Sequence, residues 1–172
     1  MKFFPSLLAL PLLLAACTPK SSTDASAAKN DTAKYAYTIP KPDNWLIDTN
    51  ITNTQSALSA LKAFELGDTA SLRKYCADSM EFNYDAGVYK GPVKQFLIMS
   101  KAEKDSAKTL SIKMVDWEPV VSKDKGEEWV TLWYKQYMTY PSGKTDSTGV
   151  VNDLLFKKGK IVRIDEYLRR LK

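Results

Sequence analysis

Four polar residues in two stretches of the sequence are candidates for chemistry: Asn83, Tyr84 and Asp85 lie together, and Asn152 lies alone. Asp85 is the carboxylate that could serve as a general base, while Asn152 or Tyr84 could polarise a substrate oxygen. The chain contains no histidine, which excludes Ser-His and Cys-His nucleophiles and imidazole metal sites. Neither a metal nor another cofactor is expected.

Asn152 interrupts the apolar face of a predicted strand. Over residues 150–156 the even-numbered positions form the more apolar face, and a polar side chain on such a face needs a hydrogen-bond partner. Two interpretations stay open: an amide that lines a pocket and orients a ligand, or a core asparagine satisfied by neighbouring backbone. Asp85 precedes Ala-Gly, so the expectation there is an exposed turn carboxylate.

Length and composition indicate one domain that positions these residues. The 172 residues are 44% hydrophobic and 26% charged, which is enough apolar material for one core of ordinary size. The net charge of +5 is spread along the chain rather than gathered into a block. Nucleic-acid binding therefore gains no support.

Apolar residues at helical spacing predict three helices in the first half of the domain. The first begins with a capping box, Thr52 and Gln55, and ends at Gly67. The second is capped by Asp68 or Thr69. Its core side consists of Leu72, Tyr75 and Cys76, the last as a small apolar core residue. A strand with Met80, Phe82 and Tyr84 on one face follows, and Gly91-Pro92 opens the third helix.

Strand-like alternation fills the rest of the chain. The predicted strands cover residues 110–121, 127–140, 145–157 and 160–169, and short turns connect them. Long neighbouring strands with short connections form an antiparallel meander. The expected architecture is α+β, with three N-terminal helices packed on one curved antiparallel sheet.

The predicted strand over residues 127–140 carries large side chains on both faces. Trp129, Trp133 and Tyr137 are left on the outer face, and exposed aromatic residues of this size commonly mark an interaction surface. The alternative is that the segment around Trp45 folds back over them within one chain.

The N-terminus has the pattern of an export signal. A basic Lys2 precedes an apolar run over residues 3–16, which is shorter than the roughly 20 residues of a membrane-spanning helix. Residues 14–17, Leu-Ala-Ala-Cys, resemble the lipobox of bacterial lipoproteins. The resemblance implies removal of the signal peptide over residues 1–16 and lipidation of Cys17; the alternative is a soluble secreted protein.

Residues 17–50 are expected to hold the lipidated cysteine, a disordered tether and an extended segment, ahead of a domain over residues 51–172. The tether lacks aromatic and large aliphatic residues from Thr18 to Lys34. A triacylated Cys17 would hold the chain on a membrane surface without spanning it. The expected location is the bacterial cell envelope, on the outer membrane or a periplasmic face.

The order of elements resembles the superfamily of nuclear transport factor 2, ketosteroid isomerase, scytalone dehydratase and the SnoaL-like cyclases. The resemblance spans roughly residues 52–171 and rests on ALSALKAFELGD (57–68), LRKYCADSMEFN (72–83), YKG (89–91) and NDLLFKKGKI (152–161). It implies a cone-shaped domain with one apolar pocket, and dimerisation through the outer sheet.

The isomerase branch of that superfamily uses a carboxylate base, a tyrosine and a protonated aspartate. Matched residue by residue, the tyrosine falls on Ala60, the aspartate on Asn152 and the base on Asn83, with Asp85 the only nearby carboxylate. The resemblance therefore supports the fold and argues against that chemistry.

Three functions remain as hypotheses. The first is an envelope-anchored lipoprotein whose non-catalytic domain binds a small apolar ligand or a protein partner. The second is a lyase or isomerase acting on a small hydrophobic carbonyl or hydroxyl compound. The third is a structural dimerisation module whose pocket is filled by its own side chains. The expected partners are a membrane surface, a second copy of the chain and a small apolar ligand.

Overall fold

The computed structural model describes residues 36–171, in which a compact unit begins at Ile39. The predicted signal peptide, Cys17 and the tether lie outside the described residues. The elements follow in the order β1 (Trp45–Ile47), α1 (Ile51–Leu66), α2 (Thr69–Tyr75), β2 (Cys76–Tyr84), β3 (Gly87–Pro92), α3 (Val93–Ser106), β4 (Thr109–Ser122), β5 (Glu128–Thr139), β6 (Thr145–Lys157) and β7 (Lys160–Arg170). No helix in this part of the chain is long and apolar enough to cross a membrane.

Helix α1 begins at a different cap from the predicted one. The side chain of Asn50 accepts a hydrogen bond from the backbone N–H of Thr52 at 3.1 Å, so Thr52 already lies inside the helix. The capping box of Thr52 and Gln55 was therefore wrong, because an asparagine before the helix supplies the acceptor that its first turn needs. The predicted end is confirmed: Gly67 adopts a left-handed conformation with φ of 71°.

The short helix α2 has the predicted cap but ends before Cys76. Asp68 accepts a hydrogen bond from the backbone N–H of Ser71 at 2.9 Å. Cys76 has extended backbone and is the first residue of β2, which corrects its placement in the helix. Its side chain is 1% exposed, as expected of a core cysteine.

The seven strands form one sheet in the order β1-β4-β5-β6-β7-β2-β3. The predicted meander over β4, β5, β6 and β7 is confirmed, with antiparallel pairing throughout. Strand β2 runs parallel to β7, so the sheet is mixed rather than antiparallel. Hairpin connections force antiparallel pairing only between consecutive strands, and β2 is far from β7 in sequence. Strand β3 pairs with β2 and was not predicted.

All three helices contribute to a core on one face of the sheet, the inner face. Alternate residues of β5 and β6 provide the sheet side of that core: Val130, Leu132, Tyr134, Val150, Leu154 and Phe156. Helix α1 contributes three alanines, Ala57, Ala60 and Ala63, and α3 contributes Phe96. Because alanine side chains are short, these three positions leave space between α1 and the sheet.

The aromatic residues Trp129, Trp133 and Tyr137 alternate with this core and lie on the opposite, outer face of β5. The two tryptophans are half-buried, and Tyr137 is 38% exposed. The segment around Trp45 does not fold over them. Strand β1 pairs with the edge of β4 and extends the sheet sideways, with Trp45 and its two neighbours in the strand about half exposed.

Candidate functional site

A cavity of about 290 Å³ lies between the three helices and the inner face of the sheet. Its walls are mainly apolar and include Ala57, Ala60, Leu61, Phe64, Phe82, Phe96, Leu132, Leu154, Ile161 and Ile164. The rings of Phe82 and Tyr84 stack at 5.0 Å, and Phe82 also meets Phe96 edge to face at 5.7 Å. A concave, apolar volume with a few polar groups is the usual form of a small-molecule site.

Asn152 and Tyr134 form the buried polar part of the cavity wall. Asn152 is only 9% exposed, and its Nδ2 donates a hydrogen bond to the Tyr134 hydroxyl at 3.0 Å. Asn152 Oδ1 is buried and has no hydrogen-bond partner within residues 36–171. Burial, together with the nearby charges of Glu166 and Glu103, raises the pKa of Tyr134 well above its usual value. The phenol is therefore protonated at neutral pH.

Glu166 is the acidic residue directly across the strand pair from Asn152. The two are register partners between β6 and β7, and both line the cavity. Burial raises the pKa of Glu166 to about 7, and the negative charges of Glu103 and Asp85 act in the same direction. A carboxyl group with this pKa exchanges its proton near neutral pH.

The opening of the cavity is marked by its exposed lining residues. Asp85 is exposed in the turn between β2 and β3, as predicted, and Leu168 is 43% exposed. Glu103 on α3 also lies at this rim, where its carboxylate accepts a hydrogen bond from Gln136 at 3.2 Å. Partial desolvation raises the pKa of Glu103. Asp85 and Glu103 both act on the charge of Glu166, so the three carboxyl groups lie near one another in the cavity lining.

Of the four residues singled out from the sequence, the structure brings Asn152, Tyr84 and Asp85 to the cavity. Asn83 lies on the outer face instead, where its Nδ2 donates to Asp165. Successive strand residues point to opposite faces, so Tyr84 and Phe82 take the inward positions and Asn83 cannot share them. This corrects the placement of Asn83 among the pocket residues.

Glu166 was missed by the sequence analysis. It interrupts an apolar set, Ile164 and Leu168, in the same way that Asn152 interrupts its own strand, and that signal could have found it.

Cys76 also lines the cavity, but burial raises its pKa to about 12, so it is a protonated thiol and not a nucleophile. Across residues 36–171 no cluster of acidic residues and cysteines has the arrangement of a metal site.

Solved structures of several proteins share this fold. An NTF2-like protein of unknown function from Cytophaga hutchinsonii matches with a TM-score of 0.51 and 18% identity, over 72% of this chain and 95% of that one. Bal32a, from a soil-derived mobile gene cassette, matches with a TM-score of 0.54 and 18% identity, over 68% and 88%. An LEH-like epoxide hydrolase from M. tuberculosis matches with a TM-score of 0.56 and 11% identity, over 69% and 83%.

These identities show the fold alone: the domain has the α+β fold of NTF2-like proteins, with three helices on a mixed sheet. No protein-family model matches the chain, and no curated protein matches it.

Proposed function

We propose that this cone-shaped domain binds a small, mainly apolar molecule in the cavity between its helices and its sheet. The observation that carries the proposal is a volume of about 290 Å³ lined mainly by apolar side chains. One lining residue, Asn152, has a buried amide oxygen without a hydrogen-bond partner in the described part of the chain. An unpaired buried acceptor costs roughly 1–3 kcal/mol, which a ligand with a donor would recover. A module whose own side chains filled its interior would not leave such a volume between them.

Filling the cavity tests this proposal. Ala60 lines the cavity from α1, so Ala60→Phe places a ring in the ligand space. Ala102 is exposed on α3, and Ala102→Phe is the matched control. NMR of the Ile161 and Ile164 methyl groups, titrated with cyclohexylmethanol, should show saturable shifts in the wild type and the control and none in Ala60→Phe. Shifts that survive in Ala60→Phe, or that are missing from the wild type, would contradict cavity binding.

Catalysis is the second candidate function, and the raised pKa of Glu166 favours it. A carboxylate with a pKa of about 7 in an apolar cavity suits a general base at neutral pH. Glu166 replaces Asp85 in this role, because Asp85 is exposed in a turn. For a lyase or isomerase of small hydrophobic carbonyl compounds, Glu166 would remove a proton next to the carbonyl while Tyr134 or Asn152 donates to its oxygen. In D₂O the hydrogens next to the carbonyl of a ketone should then exchange for deuterium faster with the wild type than with Glu166→Gln, and the loss of their ¹H NMR signals measures the rate.

We also propose that the chain is a lipoprotein of the bacterial cell envelope, held on a membrane by Cys17. The support is the pattern of residues 1–17, an apolar run with small residues directly before a cysteine. Labelling with a radioactive fatty acid should mark the wild type and not Cys17→Ser. Label retained in Cys17→Ser would overturn the anchor and leave the cavity proposal unaffected.

The outer face of the sheet is our candidate for contact with a second copy of the chain. Trp133 and Tyr137 lie there on β5, and Tyr167 of β7 is 60% exposed on the same side of the sheet. Aromatic residues concentrate binding energy in protein interfaces. The homodimer is therefore proposed to form back to back, with each cavity facing away from the interface.

A further inference from the structure

The polar atoms that line the cavity are mostly hydrogen-bond acceptors. Glu166, Glu103 and Asp85 contribute carboxyl groups, and Asn152 contributes its unpaired Oδ1. The hydroxyl of Ser100, another lining residue, already donates to the backbone carbonyl of Phe96 at 3.0 Å. No lysine or arginine is among the lining residues in the part of the chain that the structure describes.

The unpaired atom of Asn152 is independent evidence for a ligand. Its side chain is nine-tenths buried, and the residue is among those that line the cavity. Its oxygen has no hydrogen-bond partner among the described residues. The Tyr134 hydroxyl can either donate or accept, so rotating the amide would exchange its oxygen and nitrogen and still leave one of them unpaired. In either orientation of the Asn152 amide, the carboxyl groups of Glu166, Glu103 and Asp85 make the electrostatic potential in the cavity negative.

We propose that the ligand is a small apolar molecule with a protonated amine, whose N–H groups bind the Glu166 carboxylate and Asn152 Oδ1. This inference rests on the proposed ligand-binding function and specifies its chemical class. An ammonium group provides several donors and a positive charge to a site that has acceptors and negative charge. A neutral alcohol can satisfy one acceptor but leaves the carboxylate without a counter-ion, and an anion is repelled.

The environment of Glu166 makes amine binding depend on pH. The groups that face it are Glu103 from α3, Asp85 from the β2–β3 turn, Tyr134 from β5 and Asn152 from β6. None of them is positively charged, so in the free protein Glu166 keeps its proton to higher pH than an exposed glutamate. An amine binds best to the ionised form, and it should therefore bind more tightly as the pH rises through about 7.

The test uses three probes with one ring and different end groups: cyclohexylmethylamine, cyclohexylmethanol and cyclohexanecarboxylate. They are titrated into the full chain in lipid nanodiscs, and the Ile161 and Ile164 methyl signals report on the cavity itself. At about pH 8 the amine should bind at least about tenfold more tightly than the alcohol, and the carboxylate most weakly. At about pH 5 the amine and the alcohol should differ less than about twofold in affinity, because Glu166 is then protonated.

Glu166→Gln should make the amine bind no more tightly than the alcohol at about pH 8. The matched control Glu118→Gln removes the charge of an exposed glutamate on β4 and should leave the tighter binding of the amine unchanged. If the alcohol binds as tightly as the amine, or if the difference in affinity persists in Glu166→Gln or at low pH, the amine inference is overturned while cavity binding stands. If none of the three probes shifts the methyl signals, the amine inference and the proposed binding function both fail.

Discussion

Asp165 and Glu166 are consecutive acidic residues on β7 with opposite surroundings. Asp165 points to the outer face, where it accepts hydrogen bonds from Asn83 and from Arg163, the latter at 2.8 Å. Glu166 points into the cavity, and the nearest charges that affect it are those of Glu103 and Asp85. The Asp165 carboxylate accepts hydrogen bonds from a guanidinium group and an amide. The Glu166 carboxyl group is instead buried and lies near other negative charges.

The outer group of charges has the form of a structural network. Glu81 pairs with Lys90 at 3.2 Å. This contact lowers the pKa of Glu81 most, and a hydrogen bond from Asn83 lowers it further. The hydrogen bond to Asp165 raises the pKa of Arg163, which also lies over the Trp129 ring at 5.8 Å from its centre. The contacts of Glu81 with Lys90 and Asn83 favour the ionised form of its carboxylate. Among residues 36–171, no basic or amide side chain makes a comparable contact with Glu166, and such an uncompensated group is more typical of a functional site.

The largest effect is expected from Glu166→Gln, which should stabilise the free protein at about pH 8 by roughly 3–4 kcal/mol. The folded-state pKa of about 7 lies above that of an unfolded glutamate, so the folded chain holds this proton more tightly. The charge therefore costs stability progressively as the pH rises from about 4.3 to above 7. Urea unfolding of both proteins at several pH values measures the difference.

At about pH 3 the two proteins should be equally stable, because Glu166 is then protonated in both the folded and the unfolded chain. A wild type that is as stable as Glu166→Gln at pH 8, or more stable, would show that the inner carboxylate is compensated after all.

Trp133→Lys tests the outer face as an interface and is expected to have the next largest effect. A lysine there would bury a charge between two copies, so the dimer should dissociate at least about tenfold more readily. Ala102→Phe, on the exposed side of α3, is a control that should not change association. Sedimentation of the chain with Cys17→Ser measures the oligomeric state, and a wild-type chain that is monomeric at high concentration would end the dimer proposal.

Asp165→Asn should have the smallest effect, and its sign should be opposite to that of Glu166→Gln. The change removes the ion pair with Arg163 while keeping an oxygen that can accept from Asn83, so the protein should lose about 1 kcal/mol near neutral pH. The same urea series measures it. An increase in stability would mean that the outer network does not compensate its charges, and the contrast between the two faces would be lost.

Elements with strong local signals could be predicted from the sequence. Gly67 and Asp68 mark the boundary between the first two helices, and the alternation of β5 and β6 places Asn152 on the inner face. The parallel pairing of β2 with β7 could not be predicted, because it depends on contacts between distant segments rather than on a turn.

Glu166 was harder to find for a local reason. A register shift opposite Leu155 and Phe156 skips Val162, so Ile161 and Ile164 both face inward. A strict alternation counted from Ile161 would put Asp165 inside and Glu166 outside, which is the reverse of the structure. No glycine or proline marks the irregularity itself, so only the alternation of Ile164, Glu166 and Leu168 beyond it indicates which side chains face inward.

An NMR titration of the Glu166 carboxyl carbon in the free protein shows whether the cavity holds a carboxyl group without a positive partner, as the described residues indicate. We expect a titration midpoint near pH 7 for Glu166. The carboxyl carbon of Glu118, which is exposed on β4, is titrated in the same experiment as a reference. A midpoint near the ordinary glutamate value of about 4.3 would show that Glu166 is solvated or paired, and would contradict the account of this site.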